Sequence, residues 1–471
     1  MSGVSRPAKR SKSVLAITLS LVLLAAAACG AGEKTRPAPP VPVAVDTDLG
    51  ADDIIAILYL LGRPEVDIVA VTVVGDGLVR CPTGAAHARA ILAAAGRGDI
   101  PVACGAQSPI APAVAFPDAW RAQADGFYGM AEQWRDARPT GTAAMDAEEM
   151  LVAAATRHSG LRILALGPLT DVAIALRHAE VVAAHPTVIV SGGAFGEPGN
   201  MSGAGSPAVE WNIGADPVAA AAVLHARVPT RWVTLDASND VPVDMAFVGA
   251  LAAQQRNRAG DLASAFLQTN SALGRGGFFF WDPLAAVSIT SPDVVTYQEV
   301  ALAVQTGGPD AGRTVADGSG VQTLVTSRAD AGTFSLAMLR GFAASGAPTP
   351  SYVPAPADLR VSRLAAQGFR LDGPAALPSG DTTIAFDAAG ANAYVVVIGR
   401  LAPSHRYADV EAAVAAGVSS APSWFTVEAS VEVPAGSRPT WVVTLPAGVH
   451  ALVAAEPDGS HLTALGAVTT G

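Results

Sequence analysis

Four aspartates stand within eight positions of one another, Asp46, Asp48, Asp52 and Asp53, around Gly50. Carboxylates placed so closely repel, and they become tolerable where a hard cation takes their oxygens as ligands, as Ca²⁺ and Mg²⁺ do. The competing role is N-capping, in which Asp52 or Asp53 steadies the first turn of a following helix. Capping accounts for one aspartate and not for four. The chemistry points to a metal site.

The elements around this string must present it. Val41 to Val45 form a short apolar run with β-branched residues, the pattern of a buried strand, and Ile54, Ile55, Ile57, Leu58 and Leu61 follow at helical spacing. A strand that ends in acids just before a helix puts them at the carboxyl edge of a sheet, where α/β proteins bind ligands. Strand-like and helical runs go on alternating: Ile68 to Val74 then Thr83 to Ala95, Leu161 to Leu166 then Leu169 to Leu176, then strands at Thr187 to Ser191 and Thr230 to Leu235. This predicts a doubly wound, mostly parallel α/β sheet over residues 43–345.

The ends of the chain read differently. Arg6, Lys9, Arg10 and Lys12 precede the apolar run Val14 to Ala28, which is short for a membrane span and has the build of an export signal over residues 1–29. Residues 30–42 are a Pro-rich tether, and residues 346–368, rich in Pro and Ala, read as a linker. Thr382 to Phe386, Ala393 to Ile398, Phe425 to Val433, Thr440 to Leu445 and Ala451 to Ala454 are short strands of a C-terminal β-sandwich over residues 369–471. The net charge of −11 and the lack of basic patches argue against nucleic acid as a partner. Of the three cysteines, Cys81 and Cys104 remain once Cys29 is set aside; export permits a disulfide between them, and two buried thiols are the equal alternative.

Asp46-Thr47-Asp48-Leu49-Gly50-Ala51-Asp52-Asp53 resembles the signature of the calcium-dependent nucleoside hydrolases, which cut the N-glycosidic bond of ribonucleosides. A phosphatase of the haloacid dehalogenase type also begins with a strand and an Asp-x-Asp pair, but the later segments have no role in it. Leu164 to Asp171 is similar to the family's Gly-Pro-Leu-Thr-Asn segment, with Asp171 in place of Asn, and implies that the Leu166 carbonyl is a calcium ligand. By the same resemblance Asp48, Asp53 and Asp282 complete the metal site, and Asp48 is the general base. Ser191 to Asn200 and Val209 to Pro217 match as well, and imply that Asn200, Glu210 and Asn212, with Asp52, hold the ribose hydroxyls.

Three positions resemble the purine-specific inosine-adenosine-guanosine branch in particular. Asp76 stands where other members carry Asn, Trp120 follows Phe116-Pro117, and Trp281 replaces the His before Asp282-Pro283. The implied enzyme is a purine nucleoside hydrolase of purine salvage, with Trp120 and Trp281 sandwiching the base. Each has a plainer role: Asp76 could open a turn beside Gly77, and either Trp could be packing. The expected partners are a purine nucleoside and a second copy of the chain in a homodimer. A surface lipoprotein that binds nucleosides without cutting them is the other reading, although a binder has little use for a water-activating base.

Ala26-Ala27-Ala28-Cys29 resembles a bacterial lipoprotein cleavage site, which implies a lipid anchor on Cys29 at the cell surface, with plain secretion otherwise. The C-terminal part resembles cupredoxin-like sandwiches of exported bacterial proteins. Blue copper is excluded there, because that site needs a Cys thiolate and usually an axial Met, and no Cys follows Cys104 and no Met follows Met338.

Overall fold

The computed structural model describes residues 1, 3, 39–130, 145–201, 206, 208–270, 278–348, 359–364, 368–387, 394–418, 420–433, 440–456 and 461–471. The expected signal with Cys29, and all but the end of the tether, lie outside these residues. Nine strands form the larger sheet: β1 (Val41–Thr47), β2 (Val66–Val73), β3 (Val102–Cys104), β4 (Arg162–Ala165), β5 (Thr187–Ser191), β6 (Thr230–Val233), β7 (Val295–Val304), β8 (Thr314–Ala316) and β9 (Val321–Ala329). Their order is β3-β2-β1-β4-β5-β6-β9-β7-β8. Pairing is parallel from β3 through to β9 and antiparallel where β7 joins β9 and β8.

The central strands are apolar on both faces, as a covered parallel sheet requires. Along β1, Val43 and Val45 enter one core with Val71, Leu164 and Ile189, while Ala44 enters the opposite core with Ala70, Ile163 and Val188. The first core lies under the helices Ala51–Leu61, Arg258–Thr269, Trp281–Thr290 and Ala331–Phe342, and the second under Ala147–Arg157 and Pro217–His225. From β1 the chain builds β2 and β3 on one side, then crosses to place β4 on the other. The ends of β1 and β4 therefore flank the point where the strand order reverses. Ligands bind there in open α/β sheets.

The remaining strands are β10 (Leu359–Leu364), β11 (Gly368–Asp372), β12 (Ala376–Leu377), β13 (Gly380–Asp387), β14 (Tyr394–Leu401), β15 (Phe425–Val433), β16 (Thr440–Leu445), β17 (Gly448–Ala455) and β18 (Thr463–Thr470). They make a four-stranded sheet, β11-β10-β13-β16, and a five-stranded one, β12-β18-β17-β14-β15. Val361, Ile384 and Phe386 of the first share one apolar core with Tyr394, Val396 and Leu452 of the second. One expectation needs correcting. The linker read over residues 346–368 contains β10, which pairs with both β11 and β13, so among the described residues the first strand of this module starts at Leu359. Its Ala- and Arg-bearing sequence hid a strand whose apolar residues are only Leu359, Val361 and Leu364. Cys81 and Cys104, left open between thiols and a bond, form a disulfide with Cα atoms 5.8 Å apart.

Candidate active site

β1 hands over to the helix Ala51–Leu61 in a turn of three residues. Thr47 ends the strand, and its hydroxyl donates to the Asp53 carboxylate while accepting from the Leu49 N–H at 3.0 Å. Leu49 takes a left-handed φ of 52°. Asp52 and Asp53 occupy the first turn of the helix, where the backbone dipole favours negative charge, but the cap itself is Gly50. Asp48 is 2% exposed; one oxygen accepts from the Leu78 N–H at 2.9 Å, and its carbonyl accepts from Val79 N–H at 3.0 Å. Gly77 and Gly167 allow this crowding. A Cβ on Gly77 would run into the Asp48 side chain, and one on Gly167 would lie 3.0 Å from the Asp48 Cβ.

Carboxylate oxygens of Asp52, Asp53 and Asp282 all lie within 4.8 Å of one another. Asp282 arrives on the first turn of the helix Trp281–Thr290, and its N–H donates to Asp52 at 3.3 Å. Leu166 lies just past β4, and its carbonyl accepts from Asn212 Nδ2 at 2.8 Å. Asp46 is not part of the group: it accepts from the Thr72 hydroxyl at 2.6 Å and faces Asp171. Burial raises Asp48 well above the ordinary carboxylate range, with Asp53 adding repulsion. Burial, then Asp53, pushes Asp52 up to about 8. Burial also raises Asp53, and burial, then Asp52 and Asp53, raises Asp282 well above its usual range. Among the described residues that line the cleft there is no Lys, Arg or His. Four buried acids without a basic neighbour are a donor set that calls for a cation.

These residues form the floor of a cleft of about 820 Å³, within the usual range for small-molecule sites. Ten of the eleven residues singled out from the sequence line it: Asp48, Asp52, Asp53, Trp120, Leu166, Asn200, Glu210, Asn212, Trp281 and Asp282. Glu210 caps the short helix Trp211–Ala215, accepting from Asn212 N–H at 2.9 Å and Ile213 N–H at 3.2 Å, and it also accepts from Gly193 N–H at 3.0 Å. Asn200 accepts from Trp211 N–H at 3.0 Å. The sugar-binding candidates are thus preset by backbone bonds.

Asp76 is the exception. The structure does not bring it to the cleft wall: it is buried behind, where the Thr170 hydroxyl lies 2.8 Å from both its carboxylate and that of Asp216. Burial pushes it up to about 6, against the lowering effect of the Thr170 bond.

The wall above the acids is aromatic. Trp281 donates its indole N–H to Asn239 at 3.0 Å and meets Phe278 edge-on. Trp120, 44% exposed, stands edge-on to Trp211, which stacks on Phe116 with centroids 4.8 Å apart. Sequence reasoning gave no role to Trp211, Tyr128, Asn239 or Asn270. Trp211 was within reach, since it sits between Glu210 and Asn212; the others carry no local signal.

A doubly wound sheet with a buried acidic cluster at its switch point, under an aromatic cleft, defines an α/β protein built to take a small molecule at its strand ends. Residues 43–335 match the family described as inosine-uridine preferring nucleoside hydrolase, and the chain belongs to that family. It is 28% identical over 278 residues to uridine nucleosidase 1 of Arabidopsis thaliana, covering 58% of this chain and 80% of that one. It is 30% identical over 281 residues to a pyrimidine-specific ribonucleoside hydrolase of Citrobacter koseri, covering 58% and 86%. Among solved structures, a plant nucleoside hydrolase superposes with a TM-score of 0.56 at 26% identity, over 65% of this chain and all of that one.

Proposed function

We propose that the chain hydrolyses purine ribonucleosides to free base and ribose, using calcium held by Asp48, Asp53, Asp282 and the Leu166 carbonyl. The observation that carries this reading is the meeting, in one cleft, of four buried aspartates, Asp48, Asp52, Asp53 and Asp282, with Trp120 and Trp281. Calcium supplies positive charge that neutralises the cluster and acidifies water. Asp48 takes the proton from the attacking water as general base. Asp52, Asn200, Glu210 and Asn212 orient the ribose through paired donors and acceptors. As the glycosidic bond breaks, the anomeric carbon gains oxocarbenium character, which neighbouring carboxylates stabilise. Asp76, expected from the resemblance to hold substrate, is not among the residues lining the cleft and accepts from the Thr170 hydroxyl.

Purine preference rests on Trp120 and Trp281. The relatives named above are uridine and pyrimidine enzymes, so this is where the chain is expected to differ from them. Stacking on an aromatic side chain is worth about 1–3 kcal/mol per base, and a purine that takes a proton from solvent at N7 as the glycosidic bond breaks is attracted to aromatic faces. A pyrimidine offers less ring face and no N7. Inosine or guanosine should be cleaved faster than uridine, in a chelator-sensitive reaction, and Trp281→Ala should stay folded while losing most purine turnover. Comparable kcat/KM for uridine and inosine in the wild type would refute the purine reading and leave hydrolysis standing.

We also propose export with lipid attachment at Cys29, on the basic start, the apolar run and the Ala-Ala-Ala-Cys ending. Cys29→Ala should release the protein from the membrane fraction; a wild type found wholly in the medium would point to ordinary secretion instead. The C-terminal sheets fit a cupredoxin-like sandwich without copper, serving as a spacer or structural module.

A further inference from the structure

Phe127, Tyr128 and Gly129 follow one another with φ of 54°, 49° and 78°. Glycine accepts this left-handed region freely, but side chains rarely do, and two in a row persist only where the surroundings over-determine them. Phe127 is buried and stacks flat on His87, with centroids 4.2 Å apart. Tyr128 meets the Phe266 ring edge-on and lines the cleft, with its phenol in electrostatic reach of Asp48, Asp52, Asp53 and Asp282. The Tyr128 hydroxyl donates to the Leu49 carbonyl at 3.2 Å.

Leu49 is itself left-handed and is the pivot between the end of β1 and the helix that follows. A chain of bonds runs through it: Tyr128 hydroxyl to Leu49 carbonyl, Leu49 N–H to Thr47 hydroxyl, Thr47 hydroxyl to Asp53 carboxylate. We infer that Tyr128 is a positioning residue for the acidic turn, its hydroxyl fixing the Leu49 carbonyl and with it the spacing of Asp48 from Asp52 and Asp53. The inference rests on the proposed calcium site. Carboxylates that repel one another spread when unrestrained, and a ligand set that has spread must be drawn together again on binding. Holding the turn closed beforehand lowers that cost. The plain alternative is that Tyr128 only fills space against Phe266, in which case Phe serves as well as Tyr.

The test is calcium titration by calorimetry of the full chain, comparing wild type, Tyr128→Phe and Phe266→Leu, with unfolding midpoints measured in chelator. Losing one ordinary hydrogen bond should raise the calcium Kd of Tyr128→Phe about three- to tenfold. Its midpoint in chelator should stay near the wild-type value, and its kcat on inosine should recover at saturating calcium. Phe266→Leu, which keeps the hydroxyl, should lower the midpoint without the same loss of affinity. A Tyr128→Phe Kd within about twofold of wild type overturns the inference, as does an equal loss of affinity in Phe266→Leu. A wild type that binds no calcium overturns the metal reading and this inference together, so the two failures are distinguishable.

Discussion

Asp48→Ala is expected to lower kcat/KM for nucleosides on the order of 10⁴-fold, the upper end of what a general base contributes. The upper end applies because the same carboxylate is also a proposed metal ligand. The stability of the metal-free protein should move the other way. Asp48 is buried beside Asp53 and Asp52, which repel it, and no basic neighbour in the cleft offsets this, so at neutral pH the metal-free native state holds on this group a proton that the unfolded chain has released. Holding it costs on the order of a few kcal/mol, against about 1 kcal/mol for the Leu78 bond the variant would forgo. The chelated variant should therefore unfold at or above the wild-type temperature at neutral pH. Asp48→Asn separates the two roles: it keeps the shape and an oxygen ligand but cannot accept a proton, so calcium binding should survive in part while turnover does not. An Asp48→Ala enzyme with more than about a tenth of wild-type activity would sink the proposed mechanism.

Asp48, Asp52 and Asp53 were legible because they crowd one stretch that changes from strand pattern to helix pattern, and the structure sets all three on one cleft floor. The parallel half of the sheet was legible for the same kind of reason: β5 matches the apolar run Thr187 to Ser191, and β2, β4 and β6 differ from their runs by a residue or two at the ends. β7 and β9 were not, because their faces are only partly buried and polar residues such as Gln298, Glu299 and Arg328 break the apolar run. Tyr128 and Asn239 stayed hidden because their work is done across the chain, on Leu49 and Trp281, at separations no local pattern records. Asp46 and Asp76 are acids near strand ends that are not among the residues lining the cleft: alternation along β1 turns Asp46 toward Thr72, and Asp76 shares the Thr170 hydroxyl with Asp216.

Removing calcium should give the protein a stability that declines as pH rises, and restoring calcium should take away most of that decline. In the unfolded chain an aspartate loses its proton near pH 4, at about its ordinary pKa. In the folded, metal-free site Asp52 is pushed up to about 8, and Asp48 and Asp282 are raised well above the usual range, all three by burial first and then by neighbouring carboxylates. Between those limits the folded state holds protons that the unfolded state has released, so its stability falls as pH rises through the window. The loss should reach on the order of a few kcal/mol between about pH 5 and about pH 8. Calcium competes with these protons, so its affinity rises with pH, and the stabilisation it confers grows where the metal-free protein weakens. Some decline should persist with the metal bound, because Asp76 at about 6, Asp171 at about 7 and Glu197 at about 8 are raised by burial elsewhere and meet no calcium. Thermal unfolding midpoints across this pH range, in chelator and in excess calcium, measure the difference directly. Parallel curves would mean that no cation enters the cluster, and the calcium mechanism would fall with them.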